Sequence, residues 1–334
     1  MDLGHKLTDK ELAALERRIH RAYSQANREI NATIADYFEK FKARDAAQKA
    51  LLDEGKITEE QYKQWRLNQI GRGKRFEALR DDLAERMYSA NEVAISYVND
   101  ATPGIYSLNR NYTAYTIEQI EGNVGFTLYD EQTVKRLIVE QPDLMPNYPA
   151  KKAMKRGIDL AYSKQQITAS VTSGILQGKP ISKIADDLQA RIDTMERSSA
   201  IRAARTAVTG AQNAGRQDGF EAAAQMGIKI RKRWMATKDG RTRDSHAELD
   251  GQIVEIDKPF VSVLGSKMMF PGDRNGAVAA DLYNCRCTMA SVEKDGIEAE
   301  PRQMRVRDPK TGRNVLVNEM TYKEWQEWVK ARGD

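Results

Sequence analysis

The chain has 334 residues, 40% hydrophobic and 30% charged, with 53 basic against 48 acidic side chains and a formal net charge of +5. So near a balance excludes a protein whose whole surface is a cationic field for nucleic acid, and any DNA contact should be local. No apolar run approaches the roughly 20 residues that span a bilayer. Met1–His5 has no secretory pattern, and Cys285 and Cys287 lie too close in sequence for an unstrained disulfide, so the chain reads as intracellular or metal-binding.

Aromatic residues make up only 7% of the chain, which suits long helices better than one large core. Residues 1–101 are expected to form a helical arm. Thr8 and Glu11 have the spacing of a capping box. Leu12, Leu15, Ile19, Ala22, Ala26, Ile30, Ile34, Phe38 and Phe41 then recur every three or four positions, painting one helix face. Gly55 should end that helix, Thr58 with Gln61 should start the next, and Phe76, Leu79, Leu83, Met87, Ala90, Ala94 and Val98 mark a third. Such amphipathic helices form antiparallel hairpins. An ordinary bundle is the plain reading, and an arm that docks on a ring-shaped partner is the sharper one.

Pro103-Gly104 is expected to break the bundle, opening a connecting region over 102–160. Gly122 and Gly125 punctuate it, Asp130 caps a helix reaching Glu140, and Pro142, Pro146 and Pro149 mark an extended link. A second domain, 161–292, should hold a helix ending at Gly178, another beginning at Lys179–Ser182, and a third over Arg197–Gln225. In the third, Ala203, Ala207, Gly210 and Ala214 would let a neighbouring backbone approach. Arg202, Arg205, Arg216, Thr206 and Asn213 form either a solvated face or an inward polar network. Period-two patterns over 228–234, with one basic face, and over 251–256 predict strands. The fold class is therefore α+β and predominantly helical, an elongated N-terminal bundle followed by a helical and small-sheet domain. Residues 293–334 read as a basic tail with Arg302, Arg305, Arg307, Lys310 and Arg313 as candidate phosphate contacts, closed by a short helix carrying Trp325 and Trp328.

Chemistry concentrates between Trp234 and Cys287. The chain has three histidines and two cysteines, and His246, Cys285 and Cys287 all fall in that window. One imidazole and two thiolates favour a structural zinc ion, with Asp239, Asp244 or Asp273 as candidate fourth ligand. The plain alternative is a hydrogen-bonded histidine beside two small buried cysteines. Arg205, Asn213, Asp239, Arg241, Arg243, Asp250 and Asp273 are expected to tie the loops together through charge-assisted hydrogen bonds. A general-base role for His246, oriented by Asp239, is the catalytic alternative. No phosphate loop, hydrolase elbow or carboxylate pair accompanies it, so no catalytic residue is assigned.

Arg205-Thr206, Asn213, Gly215, Trp234, Asp239, Arg241-Thr242-Arg243, His246, Leu249, Asp250-Gly251, Pro271-Gly272-Asp273 and Asn284-Cys285-Arg286-Cys287 occur in one order and spacing. Over about residues 160–292 this arrangement resembles the phage Mu F-like minor head protein family, also called the phage head morphogenesis domain. The resemblance implies a low-copy virion protein of the head or neck interior, present in the host cytoplasm during assembly. It would associate with the portal protein and with other capsid or scaffold proteins, and influence DNA packaging or ejection. Double-stranded DNA is an expected contact of the basic segments, and no membrane is. Some relatives carry a toxin or enzyme domain after this module, for which too little chain follows Val292. The competing readings are a zinc-dependent hydrolase or nuclease using His246 and a DNA-binding protein acting through the basic tail.

Overall fold

The computed structural model describes residues 2–122, 124–149, 156–237, 239, 241–293, 304–307, 314–317 and 322–331. Helix α1 runs over Leu3–Asp53. It starts earlier than the Thr8–Glu11 spacing predicts, because the Asp2 carboxylate caps it, accepting from the His5 amide at 2.8 Å. Thr8 is instead buried inside the helix and donates to the Gly4 carbonyl at 2.9 Å. The helix stops at Asp53, and Gly55 follows at φ 70°, a conformation that favours glycine. Thr58 and Gln61 form the expected capping box at the start of α2, Glu59–Ile70.

Helix α3, Lys74–Glu121, does not break at Pro103. A proline there removes the hydrogen bond to the Asn99 carbonyl, and the Thr102 hydroxyl takes up that carbonyl at 3.4 Å. After α3 come α4, Glu131–Glu140, capped by Asp130, then a short 3-10 turn over Pro142–Leu144 and α5, Arg156–Leu176. Helix α6 is a single element over Ile181–Gln225, where a fresh start near Arg197 is expected from sequence.

Two compact units form, and neither is one continuous stretch: one comprises residues 16–97 and 152–201, the other 1–15, 98–151 and 202–334. The first buries Ile30, Ile34, Phe38 and Phe41 of α1 against Leu67 and Ile70 of α2 and Phe76, Leu79 and Leu83 of α3. Ile167, Val171 and Ile175 of α5 and Ile184, Leu188 and Ile192 of α6 complete the same core. The period of three and four in α1 thus marks a face filled by four other helical segments.

In the second unit, the buried Glu118 of α3 anchors the chain beyond that helix. Its carboxylate accepts from the amides of Gly125 and Phe126 at 3.0 and 3.2 Å and from Trp325 Nε1 at 2.7 Å. Asn111 exchanges hydrogen bonds with the Tyr129 backbone at 2.7 and 2.9 Å, so the segment before α4 lies along α3. A three-stranded antiparallel sheet has the order β2-β1-β5, with β1 at Ile230–Met235, β2 at Ile253–Glu255 and β5 at Thr288–Glu293. Between them lie α7, Asp244–Leu249, the two-residue strands β3, Phe260–Val261, and β4, Lys267–Met268, and α8, Ala279–Leu282. A hairpin of β6, Met304–Arg307, with β7, Asn314–Val317, precedes α9, Tyr322–Ala331. Trp325 of α9 is buried beside Tyr115, with ring centroids 5.6 Å apart. The architecture is predominantly α-helical α+β.

Candidate functional site

The site is assembled by a helix face that grips an extended strand. Thr206, Thr209, Asn213 and Arg216 follow one another at three- or four-residue steps along α6, about 5.4 Å per turn. Two extended residues cover roughly 6.6 Å, so alternate residues of the strand can meet successive turns of the helix. Thr206 Oγ1 accepts from the Asn284 amide at 2.9 Å. Thr209 donates to the Cys285 carbonyl at 2.6 Å, Asn213 to Cys287 at 3.0 Å and Arg216 to Met289 at 2.8 Å. Of the two readings left open for this face, the inward polar network describes Thr206, Asn213 and Arg216, whereas Arg202 is exposed. Arg216 also clamps Asp2 through two bonds of 2.8 Å. Burial raises that carboxyl, but the Arg216 charge and hydrogen bonds outweigh it and hold Asp2 at about 2.

Gripping the strand fixes both cysteines. Asn284, at φ 58°, makes the turn into it, a conformation asparagine tolerates better than most residues. Cys285 and Cys287 are free thiols 1% and 3% exposed. His246 arrives from α7 with Nδ1 3.4 Å from Cys287 Sγ and 3.8 Å from Cys285 Sγ. The Trp234 ring packs edge-on against the imidazole, with centroids 5.8 Å apart. The Cys287 partner and burial push the Cys285 thiol well up, while the Cys285 hydrogen bond and His246 pull Cys287 down.

Behind the histidine stands Asp281, which sequence reading does not single out. Its carboxylate lies 3.6 Å from His246 Nε2 and is wholly buried. It accepts from Ser245 at 2.7 Å, Ser262 at 2.6 Å and Ser266 at 2.5 Å. Burial tends to raise its pKa, but the three hydroxyls and His246 lower it overall. Serines at 245, 262 and 266 share no local pattern; only the fold gathers them.

The predicted loop network is present in pieces. Asp239 accepts from both Arg286 nitrogens at 2.5 and 2.7 Å and from the Arg241 amide at 2.9 Å. The Arg286 bonds, more than any other contact, hold Asp239 below the usual carboxylate range. Arg243 donates to the Tyr283 carbonyl. Asp250 accepts from the Ala236 amide at 2.9 Å, and Asp273 from Met269 and Asn275 amides, each at 2.9 Å. Among the described residues, His246, Cys285 and Cys287 gather as possible metal ligands, and Asp239, Asp244 and Asp273 do not join them. The three donors line a cavity of about 60 Å³ together with Arg205, Arg241, Arg243 and Arg286. Side chains of Arg302, Arg305, Arg307, Lys310 and Arg313 lie outside the described residues.

On β1 the basic face of Arg231 and Arg233 is partly exposed, whereas Lys232 points inward with Ile230 and Trp234. Its ammonium donates to Gln217 Oε1 at 3.0 Å and to the Met269 carbonyl at 2.8 Å. Desolvation lowers its pKa to about 8, against the opposing pull of Glu221, Asp257 and Asp273.

The family described as Phage Mu protein F like protein matches residues 165–290, the segment that builds this site. Over 327 residues the chain is 27% identical to the minor head protein GP7 of Bacillus phage SPP1, covering 98% of this chain and 96% of that one. Residues 165–290 thus form a Mu F-like segment, in a chain similar to a phage minor head protein along nearly its whole length. The SPP1 relative is, by its name, a protein of the phage head. A second relative, the NAD(+)–arginine ADP-ribosyltransferase EFV of Enterococcus faecalis, is 30% identical over 226 residues, which is 66% of this chain and 45% of the transferase. No solved structure matches.

Proposed function

We propose that this chain is a minor head protein that associates with the portal during procapsid assembly, in the host cytoplasm, and influences packaging or ejection of the genome from within the head or neck. The observation that carries the reading is similarity to a phage minor head protein along nearly the whole of both chains. On this reading the basic segment Arg302, Arg305, Arg307, Lys310 and Arg313 supplies local contact with double-stranded DNA. Among the described residues no helix is long and apolar enough to cross a membrane.

The protein acts without chemistry of its own on this proposal. His246 is 3% exposed, with one ring nitrogen facing two sulfurs and the other facing Asp281, so neither is presented to a substrate as a general base would be. The likeness to the ADP-ribosyltransferase spans 45% of that protein, and no transferase activity is proposed here. Co-expression with the tagged portal subunit of the same phage tests the partner: the chain should co-elute with the portal ring and not with an unrelated ring protein. No retention, or equal retention on both rings, would overturn the proposal.

A further inference from the structure

We infer that His246, Cys285 and Cys287 form a zinc site, with the ion bound through His246 Nδ1 and both sulfurs and a fourth position open to the arginine-lined cavity. The inference stands apart from the minor-head reading. Tetrahedral zinc, with bonds of about 2.3 Å to sulfur and about 2.0–2.1 Å to nitrogen, places those atoms roughly 3.6 Å apart. Here the nitrogen lies 3.4 and 3.8 Å from the two sulfurs, on either side of that value. All three donor atoms lie within 4.8 Å of one another. Nδ1 has one lone pair and can accept a single hydrogen, yet two sulfurs converge on it. A cation between them uses all three donors at once.

The surroundings are those of a metal-binding histidine. Asp281 stands 3.6 Å behind Nε2, anchored by three serine hydroxyls, and among the described residues the buried Nε2 has no hydrogen-bond partner. A carboxylate there favours the proton on Nε2 and leaves the Nδ1 lone pair aimed at the sulfurs, the carboxylate–histidine–metal arrangement. The grip of Thr209 and Asn213 on the Cys285 and Cys287 carbonyls sets both thiols before any ion arrives. Two sulfurs and an imidazole select zinc over magnesium or calcium. Asp239 of the loop network is held by Arg286, and it does not join the three donors. The fourth ligand is therefore exchangeable: water, or a small anion drawn by Arg205, Arg241, Arg243 and Arg286, which share the cavity.

The test uses the purified full chain, loaded with zinc and freed of excess by gel filtration. Metal analysis should find about one zinc per chain. In the cobalt-substituted protein, a thiolate-to-cobalt charge-transfer band should appear in the near ultraviolet, weaken in C285S and again in C287S, and azide should shift the d–d bands. D281N touches no donor atom, so it should keep the charge-transfer band while weakening zinc about 10- to 100-fold. Folded wild-type chain with no zinc above the buffer background, or a cobalt spectrum without charge transfer, would overturn the site whatever the variants do. Bands that azide leaves unmoved would overturn the open fourth position.

Discussion

A buried lysine and a buried aspartate show how single residues are decided by the fold around them. Lys232 lies in a run, Ile230-Arg231-Lys232-Arg233-Trp234, whose alternation correctly predicts a strand. The same alternation places Lys232 on the apolar side, which its chemistry alone would not suggest. It stays there because Gln217 and the Met269 carbonyl receive its ammonium. Its pKa, lowered to about 8 from 10.5 by burial, gives a signed prediction. Between those values the unfolded chain holds a proton that the folded chain has released, so the lysine's contribution to stability grows as pH rises through the window and is lost as pH falls through the folded value. In urea unfolding from pH 7 to 10.5, wild type should gain on K232M by a few kcal/mol at most. A gap that does not move with pH would contradict a lysine buried in this way. The metal-capable trio was legible because histidine and cysteine are rare in this chain, whereas Asp281 was not: one acid among 48 acidic residues carries no local signal.

At the scale of elements, the recurring device is a polar helix face that holds extended chain. Helix α3 does it through Asn111 and Glu118, and α6 through Thr206, Thr209, Asn213 and Arg216. The two helices also approach each other closely. A β-carbon at Gly215 would press on the Tyr106 carbonyl oxygen and stand 3.2 Å from the Arg110 amide nitrogen, with backbone on both counts. G215A should therefore cost about 2–3 kcal/mol by thermal or urea unfolding, since backbone cannot yield as a flexible side chain does. A loss below about 0.5 kcal/mol, the range of an ordinary surface substitution, would contradict the close crossing. Small-residue spacing in α6 revealed that something approaches it, but not that Gly215, outside the residues of that spacing, faces the backbone of α3. Helix existence was read well from the three-and-four period, and the caps at Thr58 and Asp130 from their hydroxyl and carboxylate. Pro103 misled because a neighbouring threonine takes up the carbonyl that proline abandons, a compensation visible only in the folded helix. Thr8 misled because its competitor for the cap, Asp2, is held by a residue more than two hundred positions away.

For the molecule as a whole, the sequence reads as successive regions, whereas the contacts gather separated stretches into two units. Hydrophobic periodicity shows that a face is buried and is silent on what buries it, which is why α5 and the first half of α6 were not assigned to the bundle core. The Mu F-like character was legible because its residues recur in fixed order, and the matched segment, 165–290, falls within the range expected from them. The portal as partner rests on the proposed function and is tested most directly in the particle. Quantitative mass spectrometry of heads assembled by the phage or prophage that encodes this chain, with and without its portal subunit, is the measurement to make. The account predicts a few copies in each complete particle, falling to background when the portal is absent. Equal incorporation without the portal, or absence from complete particles, would contradict it.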